Sequence, residues 1–172
     1  MKKKKIYDGK VLSLSVYTVP FGKRKLRREI IEHRGAAAML AIDKGKVILV
    51  KQHRYPHGYV YEIPAGTLEK GEKPIKCAYR EFKEETGYEA KKMTPLMKYY
   101  PSIGYNMELI HCFVASGIKK SSKLKLDEDE ILSVVKIDFK KVLKMILSGK
   151  ITDSKTICAV LTFAMKHKLY FV

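Results

Sequence analysis

The chain has 172 residues, which suits one domain of ordinary size with a small extension. Hydrophobic residues make up 46% of the sequence, enough for a packed core, so the composition excludes a disordered chain. Lys and Arg (35) outnumber Asp and Glu (18), giving a net charge of +17. This charge favours nucleic acid, an anionic membrane or phosphorylated small molecules as partners, and a solvated lysine-rich surface explains it equally well.

The cysteines and the apolar runs narrow the class further. Three widely spaced cysteines without a CxxC pair indicate neither a disulfide framework nor a zinc ribbon. They are Cys77, Cys112 and Cys158. The lysines at 2–5 resemble the start of a signal peptide, but Asp8 and Lys10 interrupt before any apolar run. The run 157–165 is too short to span a bilayer. We therefore expect a soluble, cytoplasmic protein.

The first elements along the chain form a hairpin. The alternating segment 11–17 predicts a strand, a turn follows at 20–22, and 26–32 predicts a returning strand rich in Lys and Arg. We assign residues 1–34 to an N-terminal antiparallel β-hairpin extension and residues 35–172 to the main domain.

The main domain is rich in strands, with helices at its centre and its end. We predict strands over 36–42, 46–52, 59–63, 91–100, 108–116 and 132–137, and helices over 74–86, 139–148 and 154–167. A polar loop is predicted over 121–129. This order of elements favours an α+β fold over alternating βαβ units.

The central helix has recognisable ends. Pro74 suits its first turn and Gly87 suits its C′ position, although Lys73 is a poor N-cap residue. Helical periodicity gives one apolar face that we expect to be buried. It consists of Ile75, Ala78 and Phe82.

Three glutamates on this helix carry a cost. Glu81, Glu84 and Glu85 share a face, where like charges repel, and the last two also oppose the helix dipole. Arg80 can pair with Glu84 but cannot neutralise three carboxylates. A divalent cation could, and carboxylate oxygens suit Mg²⁺ or Mn²⁺. A solvated acidic helix face is the alternative.

The glutamates belong to a pattern that is similar to the Nudix box, G-x5-E-x7-R-E-U-x-E-E-x-G-U, where U is a bulky apolar residue. Every fixed position matches. The matching residues are Gly66, Glu72, Arg80, Glu81, Phe82, Glu84, Glu85, Gly87 and Tyr88. Phe82 is unusual at its position and Tyr88 is amphipathic. The chain therefore resembles the Nudix hydrolase family.

Segments outside the box resemble the ADP-ribose pyrophosphatase branch of that family. Residues 61–66 are similar to its E-[LIF]-P-A-G lead-in, and 51–55 to its Q-x-R strand. Residues 100–108 are similar to its P-S-P-G-x-x-x-E segment, with Ile103 in place of the usual proline. Further likeness is found over 28–33, 127–131 and 149–156. The resemblance covers nearly the whole chain.

The resemblance implies an α/β/α sandwich around a mixed β-sheet and hydrolysis of a nucleoside diphosphate linked to another moiety. In the ADP-ribose branch the extra N-terminal strands commonly cross to a partner. A homodimer with shared active sites is therefore expected.

Matching positions also imply roles for the box residues. The expected metal ligands are the carbonyl of Ala65, Glu81 and Glu85, with Glu84 a ligand or a hydrogen-bonded support. Arg80 is expected to orient the carboxylates, and Glu72 to brace the 66–71 loop. Metal ions on a diphosphate polarise phosphorus and neutralise developing charge.

The general base often comes from a late acidic loop in this family. Here the loop offers Glu128, Asp129 and Glu130. We favour Glu130 because it directly precedes the apolar start of the next strand, with Glu128 second. Solvated loop acids are the alternative.

The substrate contacts are expected from several parts of the chain. The candidates are Arg28, Arg54, Glu62, Gly104, Glu108, Tyr17 and Phe21. The two arginines could bind phosphate or stack on adenine. Glu62 could accept a hydrogen bond from the adenine amino group, and Tyr17 or Phe21 could supply a stacking wall. Gly104 and Glu108 could line the terminal ribose pocket.

We therefore predict Mg²⁺-dependent hydrolysis of ADP-ribose to AMP and ribose 5-phosphate. The first alternative is another substrate of the same chemistry, such as another ADP-sugar, NADH, a dinucleoside polyphosphate or a nucleoside triphosphate. The second alternative is a basic RNA-binding or regulatory protein with a vestigial site. All carboxylates of the box are present and no aromatic-rich RNA motif is found, so nucleic acid is the less favoured partner.

Overall fold

The computed structural model describes residues 1–121 and 131–169, which form ten strands and three helices. The strands are β1 (Lys2–Asp8), β2 (Ser13–Phe21), β3 (Arg24–Glu32), β4 (Ala36–Asp43), β5 (Lys46–Arg54), β6 (Gly58–Glu62), β7 (Ala65–Thr67), β8 (Tyr88–Tyr99), β9 (Ile110–Lys120) and β10 (Leu132–Asp138). The helices are α1 (Pro74–Thr86), α2 (Phe139–Leu147) and α3 (Ser154–Lys166). The predicted α+β class is confirmed.

The larger sheet is mixed. Its strand order is β10-β5-β4-β9-β8, with β4 and β9 parallel and the other neighbours antiparallel. β6 adds to β5, and the short β7 pairs with the start of β4. β7 was not predicted, because three residues between a proline and a glycine-rich loop give no periodic signal. Its pairing holds the 65–67 backbone against the centre of the sheet.

Strand β4 shows why helices cover both faces of this sheet. Successive side chains of a strand point to opposite faces, and here both faces are apolar and fully buried. Ala38 and Leu40 pack in the core that includes α2 and α3, whereas Ala37 and Met39 pack in the core that includes α1. The arrangement is an α/β/α sandwich, as the family resemblance implied.

Helix α1 begins and ends where its sequence indicates. Lys73 makes no side-chain capping hydrogen bond, and Gly87 is left-handed (φ 69°) with its N–H donating to the Lys83 carbonyl. One expectation was wrong, because Ile75 is 38% exposed. The buried face of α1 is rotated away from Ile75, which lies at the edge of that face in the first turn of the helix. The buried residues are Cys77, Ala78, Phe82, Glu85 and Thr86.

The N-terminal residues form a separate three-stranded antiparallel sheet in the order β1-β2-β3. The predicted hairpin is present as β2 and β3, and β1 extends it. β1 was missed because its run of lysines lacks the apolar alternation of a strand. Lys3 bridges to Glu32 across the sheet. Hydrogen bonds from Lys3 and Tyr17 lower the pKa of Glu32 to about 2.

No helix within the described ranges is long and apolar enough to cross a membrane. Cys77, Cys112 and Cys158 are all free thiols.

Candidate active site

Strand β7 and helix α1 bring two of the box glutamates to one stretch of backbone. Glu85 is only 2% exposed, and its Oε2 accepts a hydrogen bond from the Ala65 N–H at 2.9 Å. The Glu81 carboxylate lies against Gly66 so closely that a Cβ at that position would overlap it. Glycine at 66 therefore lets the β7 backbone lie directly against the carboxylates of α1.

Arg80 joins three carboxylates with one guanidinium group. Its Nη1 donates to Glu81 Oε1 (2.6 Å) and Glu84 Oε2 (3.1 Å). Its Nε and Nη2 donate to both oxygens of Glu72 at 3.0 and 2.9 Å. The hydrogen bonds that Arg80 donates to Glu72, followed by those to Glu81, raise the pKa of Arg80 despite its partial burial. The predicted pair between Arg80 and Glu84 is thus part of a larger network.

The loop between β7 and α1 is tied to the helix from two sides. Glu72 Oε2 accepts the Glu69 N–H at 3.0 Å, which closes the loop end. The buried Cys77 thiol donates weakly to the carbonyls of Gly66 (3.5 Å) and Thr67 (3.7 Å). Burial raises the pKa of this thiol to about 12, so it stays protonated and remains a donor. Sequence reasoning missed Cys77, whose only signal was its place on the buried arc of α1.

These donors suit a divalent cation chemically. Carboxylate and carbonyl oxygens are the ligands that Mg²⁺ and Mn²⁺ prefer. Within residues 1–121 and 131–169, no three His, Cys, Asp or Glu side chains are already arranged around one ion position. Two carboxylates do converge on the Ala65–Gly66 backbone, and a third is held beside them by Arg80. The donor set therefore fits an ion that draws Glu81, Glu84 and Glu85 together.

A second polar cluster, which was not predicted, joins the ends of β5 and β6 to the start of α3. Glu62 is 3% exposed, and both its oxygens accept hydrogen bonds from Arg54, at 2.9 and 3.0 Å. Lys155 also donates to Glu62, and to Asp153 at 2.9 Å. Burial opposes the ionisation of Glu62, but its bonds to Arg54 and the charge of Lys155 outweigh it and lower its pKa. The carboxylate expected to meet adenine is thus engaged in holding Arg54.

The buried cluster also connects α3 to β6. The Asp153 side chain accepts from the Thr156 N–H (3.0 Å) and hydroxyl (2.6 Å), which caps α3. The Thr156 hydroxyl in turn accepts the Ile63 N–H at 2.8 Å. Burial opposes protonation of Lys155, but Asp153 and Glu62 outweigh it and raise its pKa. The capping pattern at 153–156 was the only sequence signal for this cluster.

The remaining predicted substrate residues lie in two other places. Tyr17 and Arg28 are cross-strand neighbours on the N-terminal sheet, and Phe21, 69% exposed, ends β2. The Tyr17 hydroxyl donates to Glu32. Glu108 lies after the turn that contains Gly104, and Asn106 contacts it. The contacts described for Tyr17 and Glu108 are thus with Glu32 and Asn106.

The two candidate bases, Glu128 and Glu130, lie outside the described residues. The flanks of their loop are described. The Ser121 N–H donates to the Gly87 carbonyl at 2.9 Å, directly after α1. The His53 N–H donates to the Ile131 carbonyl at 2.9 Å, one residue before Arg54. The two described flanks, Ser121 and Ile131, therefore lie at the end of α1 and at His53, the residue before Arg54.

Comparisons with known proteins agree with this geometry. A model of the NUDIX domain family matches residues 32–158. The chain is 44% identical to an ADP-ribose pyrophosphatase of Bacillus subtilis (strain 168), over 97% of this chain and 92% of the relative. It is 42% identical to a methanol dehydrogenase activator of Bacillus methanolicus, over 98% of this chain and 95% of the relative.

A solved structure shares the fold. It is described as the crystal structure of an ADP compounds hydrolase, with a TM-score of 0.82 and 19% identity, over 99% of this chain and 94% of that chain. The family match spans most of this chain and includes β7, Arg80 and the glutamates of α1. The chain therefore belongs to the NUDIX family, whose hydrolases generally depend on a divalent metal ion.

Proposed function

We propose that this Nudix pyrophosphohydrolase uses Mg²⁺ to hydrolyse ADP-ribose. Water adds to one phosphorus of the diphosphate, the bridging P–O bond breaks, and the products are AMP and ribose 5-phosphate. The observation that carries the proposal is the convergence of Glu81 and Glu85 on the β7 backbone, with Arg80 and Glu72 bracing them. The identity to an ADP-ribose pyrophosphatase over 97% of the chain supports this substrate.

The metal site is formed by side chains from one face of α1 and the backbone of β7. The proposed ligands are the carbonyl of Ala65 and the carboxylates of Glu81, Glu84 and Glu85. A bound Mg²⁺ or Mn²⁺ supplies charge neutralisation at the diphosphate and activation of water. Arg80 and Glu72 act by positioning, since their own hydrogen bonds run to the ligands and to the loop.

A general base completes the site. We assign Glu130, with Glu128 as second choice, to accept the proton of the attacking water. The support is the position of the two described flanks of their loop: the Ser121 N–H donates to the Gly87 carbonyl at the end of α1, and the His53 N–H donates to the Ile131 carbonyl.

Substrate binding uses the cationic groups nearest this site. Arg54, oriented by two hydrogen bonds from its guanidinium to Glu62, presents a fixed charge to a phosphate. The hydrogen bonds that Arg54 donates to Glu62 raise its pKa, and the charge of Glu85 adds to this effect. Glu62 acts through Arg54 in this arrangement.

The other substrate contacts come from the surface around the site. Arg28 with Tyr17 or Phe21 offers a stacking wall for adenine, and Gly104 with Glu108 lines the terminal ribose. The exposed N-terminal sheet supports a homodimer formed through its strands. Three free thiols support a cytoplasmic location.

Replacing Glu85 with glutamine tests the metal site. Glu85→Gln keeps the shape of the side chain but removes a ligand charge. We expect kcat with Mg²⁺ and ADP-ribose to fall at least about a hundredfold, because metal catalysis contributes several kcal/mol. Glu89→Gln is the matched control, since Glu89 is exposed and pairs with Lys83. Near wild-type turnover of Glu85→Gln would overturn the metal assignment.

A substrate panel tests the identity of the substrate. ADP-ribose, ADP-glucose, NADH, GDP-mannose, a diadenosine polyphosphate and dGTP are compared by kcat/KM, and we expect ADP-ribose to lead. A higher kcat/KM for another compound of the panel would contradict ADP-ribose as the preferred substrate but would still agree with Nudix hydrolysis. Tight RNA binding at physiological salt without hydrolysis of any member would favour the regulatory alternative.

A further inference from the structure

Residues 31–36, which we call the junction, connect the N-terminal sheet, the 105–109 segment and the loop after β7 through backbone hydrogen bonds. The Ile31 N–H donates to the Tyr105 carbonyl at 2.8 Å, and the Ile31 carbonyl accepts the Met107 N–H at 2.9 Å. These two bonds form a parallel bridge between Ile31 and Asn106. The end of β3 is therefore attached directly to the 105–107 segment.

The other end of the junction contacts the loop of the metal site. The Gly35 carbonyl accepts the Leu68 N–H at 3.0 Å, and the Ala36 N–H donates to the Leu109 carbonyl at 3.0 Å. Leu68 directly follows β7, whose backbone lies against Glu81 and Glu85. One short segment is thus hydrogen-bonded both to the 105–109 segment and to the loop that follows β7.

The conformation of Gly35 leaves little freedom at this point. Its φ is +93°, in the region that favours glycine, and a Cβ there would lie 2.9 Å from the Leu109 carbonyl oxygen. The Gly35 N–H donates to His33 Nδ1 at 3.1 Å, and His33 Nδ1 lies 3.8 Å from Glu108 Oε1. The junction therefore reaches the Glu108 side chain as well as the backbone around it.

We propose that the junction is a positioning element for the terminal sugar of the substrate. Ile31 holds the 105–107 backbone. The N-terminal sheet therefore determines where Gly104 and Glu108 lie relative to β7 and the loop that follows it. The inference rests on the proposed function, because Gly104 and Glu108 are assigned to the terminal ribose there. It gives the N-terminal sheet a positioning role, which Ile31 performs through its backbone hydrogen bonds and not through contact with the substrate.

The hydrogen-bond pattern of β3 allows a substitution that removes the contact with 105–107 and leaves the β2–β3 pairing intact. In the antiparallel β2–β3 pair, alternate residues point their N–H groups away from the partner strand. Ile31 does so, since its N–H bonds to Tyr105, and Glu29, two residues earlier, points to the same edge. Proline at either position removes an N–H that β2 does not use. Only at Ile31 does that N–H hold the 105–107 segment.

The experiment compares Ile31→Pro with Ile31→Ala and Glu29→Pro. We expect Ile31→Pro to raise the KM for ADP-ribose roughly three- to tenfold, the value of one or two net hydrogen bonds, with kcat within about twofold. The inhibition constant of ADP, which lacks the terminal sugar, should not change. Ile31→Ala keeps the N–H and Glu29→Pro keeps the bridge, so both should leave the KM near wild type.

Two outcomes would overturn the inference. One is an unchanged KM in Ile31→Pro; the other is an equal loss of kcat/KM for all three variants, which would indicate general damage to the sheet. If Ile31→Pro does not fold, Met107→Pro removes the second bond of the bridge from the other side and carries the same expectation.

Hydrogen exchange separates this inference from the proposed function. Amides of residues 105–109 should exchange faster in Ile31→Pro than in wild type or Glu29→Pro, whatever the substrate. Failure of the wild-type protein to hydrolyse ADP-ribose would contradict the proposed function alone. Unchanged exchange over 105–109 would contradict the junction alone.

Discussion

Gly66 is the residue that allows backbone and carboxylate to meet in this site. It lies in β7, which pairs with β4, while Glu81 lies on α1, which packs on the same face of the sheet. Its φ is not in the left-handed region, so its backbone conformation is open to other residues. The requirement for glycine is therefore one of space beside the Glu81 carboxylate.

Substituting Gly66 with alanine should separate this spatial requirement from backbone strain. The new methyl group must displace the Glu81 carboxylate, so we expect kcat with Mg²⁺ to fall by about tenfold or more. Gly9→Ala is the control, because the three atoms nearest a Cβ there all belong to the flexible Tyr7 side chain. The two variants are compared by steady-state kinetics and circular dichroism. Full activity of Gly66→Ala would mean that Glu81 can move without consequence.

At the scale of elements, the Thr156 hydroxyl links the start of α3 to the residue that follows β6. Thr156 is fully buried, donates to Asp153 and accepts the Ile63 N–H. This bond satisfies a backbone donor directly before Pro64 and β7. The N-terminal end of α3 thus fixes the chain where it enters β7.

Thr156→Val should destabilise the fold through this bond. Valine has nearly the same shape but leaves the Ile63 N–H buried without an acceptor, which costs about 1–3 kcal/mol. Urea denaturation measures the effect as a lower midpoint with an unchanged slope. Thr162→Val, on the same helix, loses a partly buried hydroxyl that donates to the weak acceptor Met97 Sδ and leaves no backbone N–H without an acceptor, so it should cost less than about 0.5 kcal/mol. Equal losses in both variants would contradict the special role of Thr156.

Elements with local signals were predictable, whereas contacts between distant residues were not. Pro74 and Gly87 mark the ends of α1 because proline suits the first turn and glycine the left-handed C′ position. β1 has no such signal, since its lysines are held by pairing with β2. Lys155 and Glu62 are separated by 93 positions, and nothing local in either segment specifies their contact.

At the scale of the whole molecule, charge is concentrated in the N-terminal extension. Residues 1–34 contain 11 of the 35 Lys and Arg but only 3 of the 18 Asp and Glu, so they carry +8 of the net +17. The same segment exposes apolar side chains. They are Ile6, Tyr7, Val11, Leu12 and Phe21. A dimer through these strands would bury apolar surface while bringing like charges together.

The proposed dimer should therefore strengthen with salt. Raising NaCl from about 0.05 M to about 0.5 M screens the repulsion, and we expect the dimer dissociation constant to fall roughly tenfold. Sedimentation equilibrium measures it. Val11→Asp should weaken the dimer, whereas Ile131→Asp, a similarly exposed position of the main domain, should not. A monomer at both salt concentrations would exclude this assembly.

The contacts of Arg80 have a consequence for the stability of the protein when no metal ion is bound. A cluster of acids that relied on an ion for its neutrality would come apart when the ion was removed. Here a permanent cation is already bonded to Glu72, Glu81 and Glu84, and its pKa is raised by those contacts, so it keeps its charge. We therefore expect a chelator to abolish the activity without unfolding the protein, and added Mg²⁺ to restore the activity.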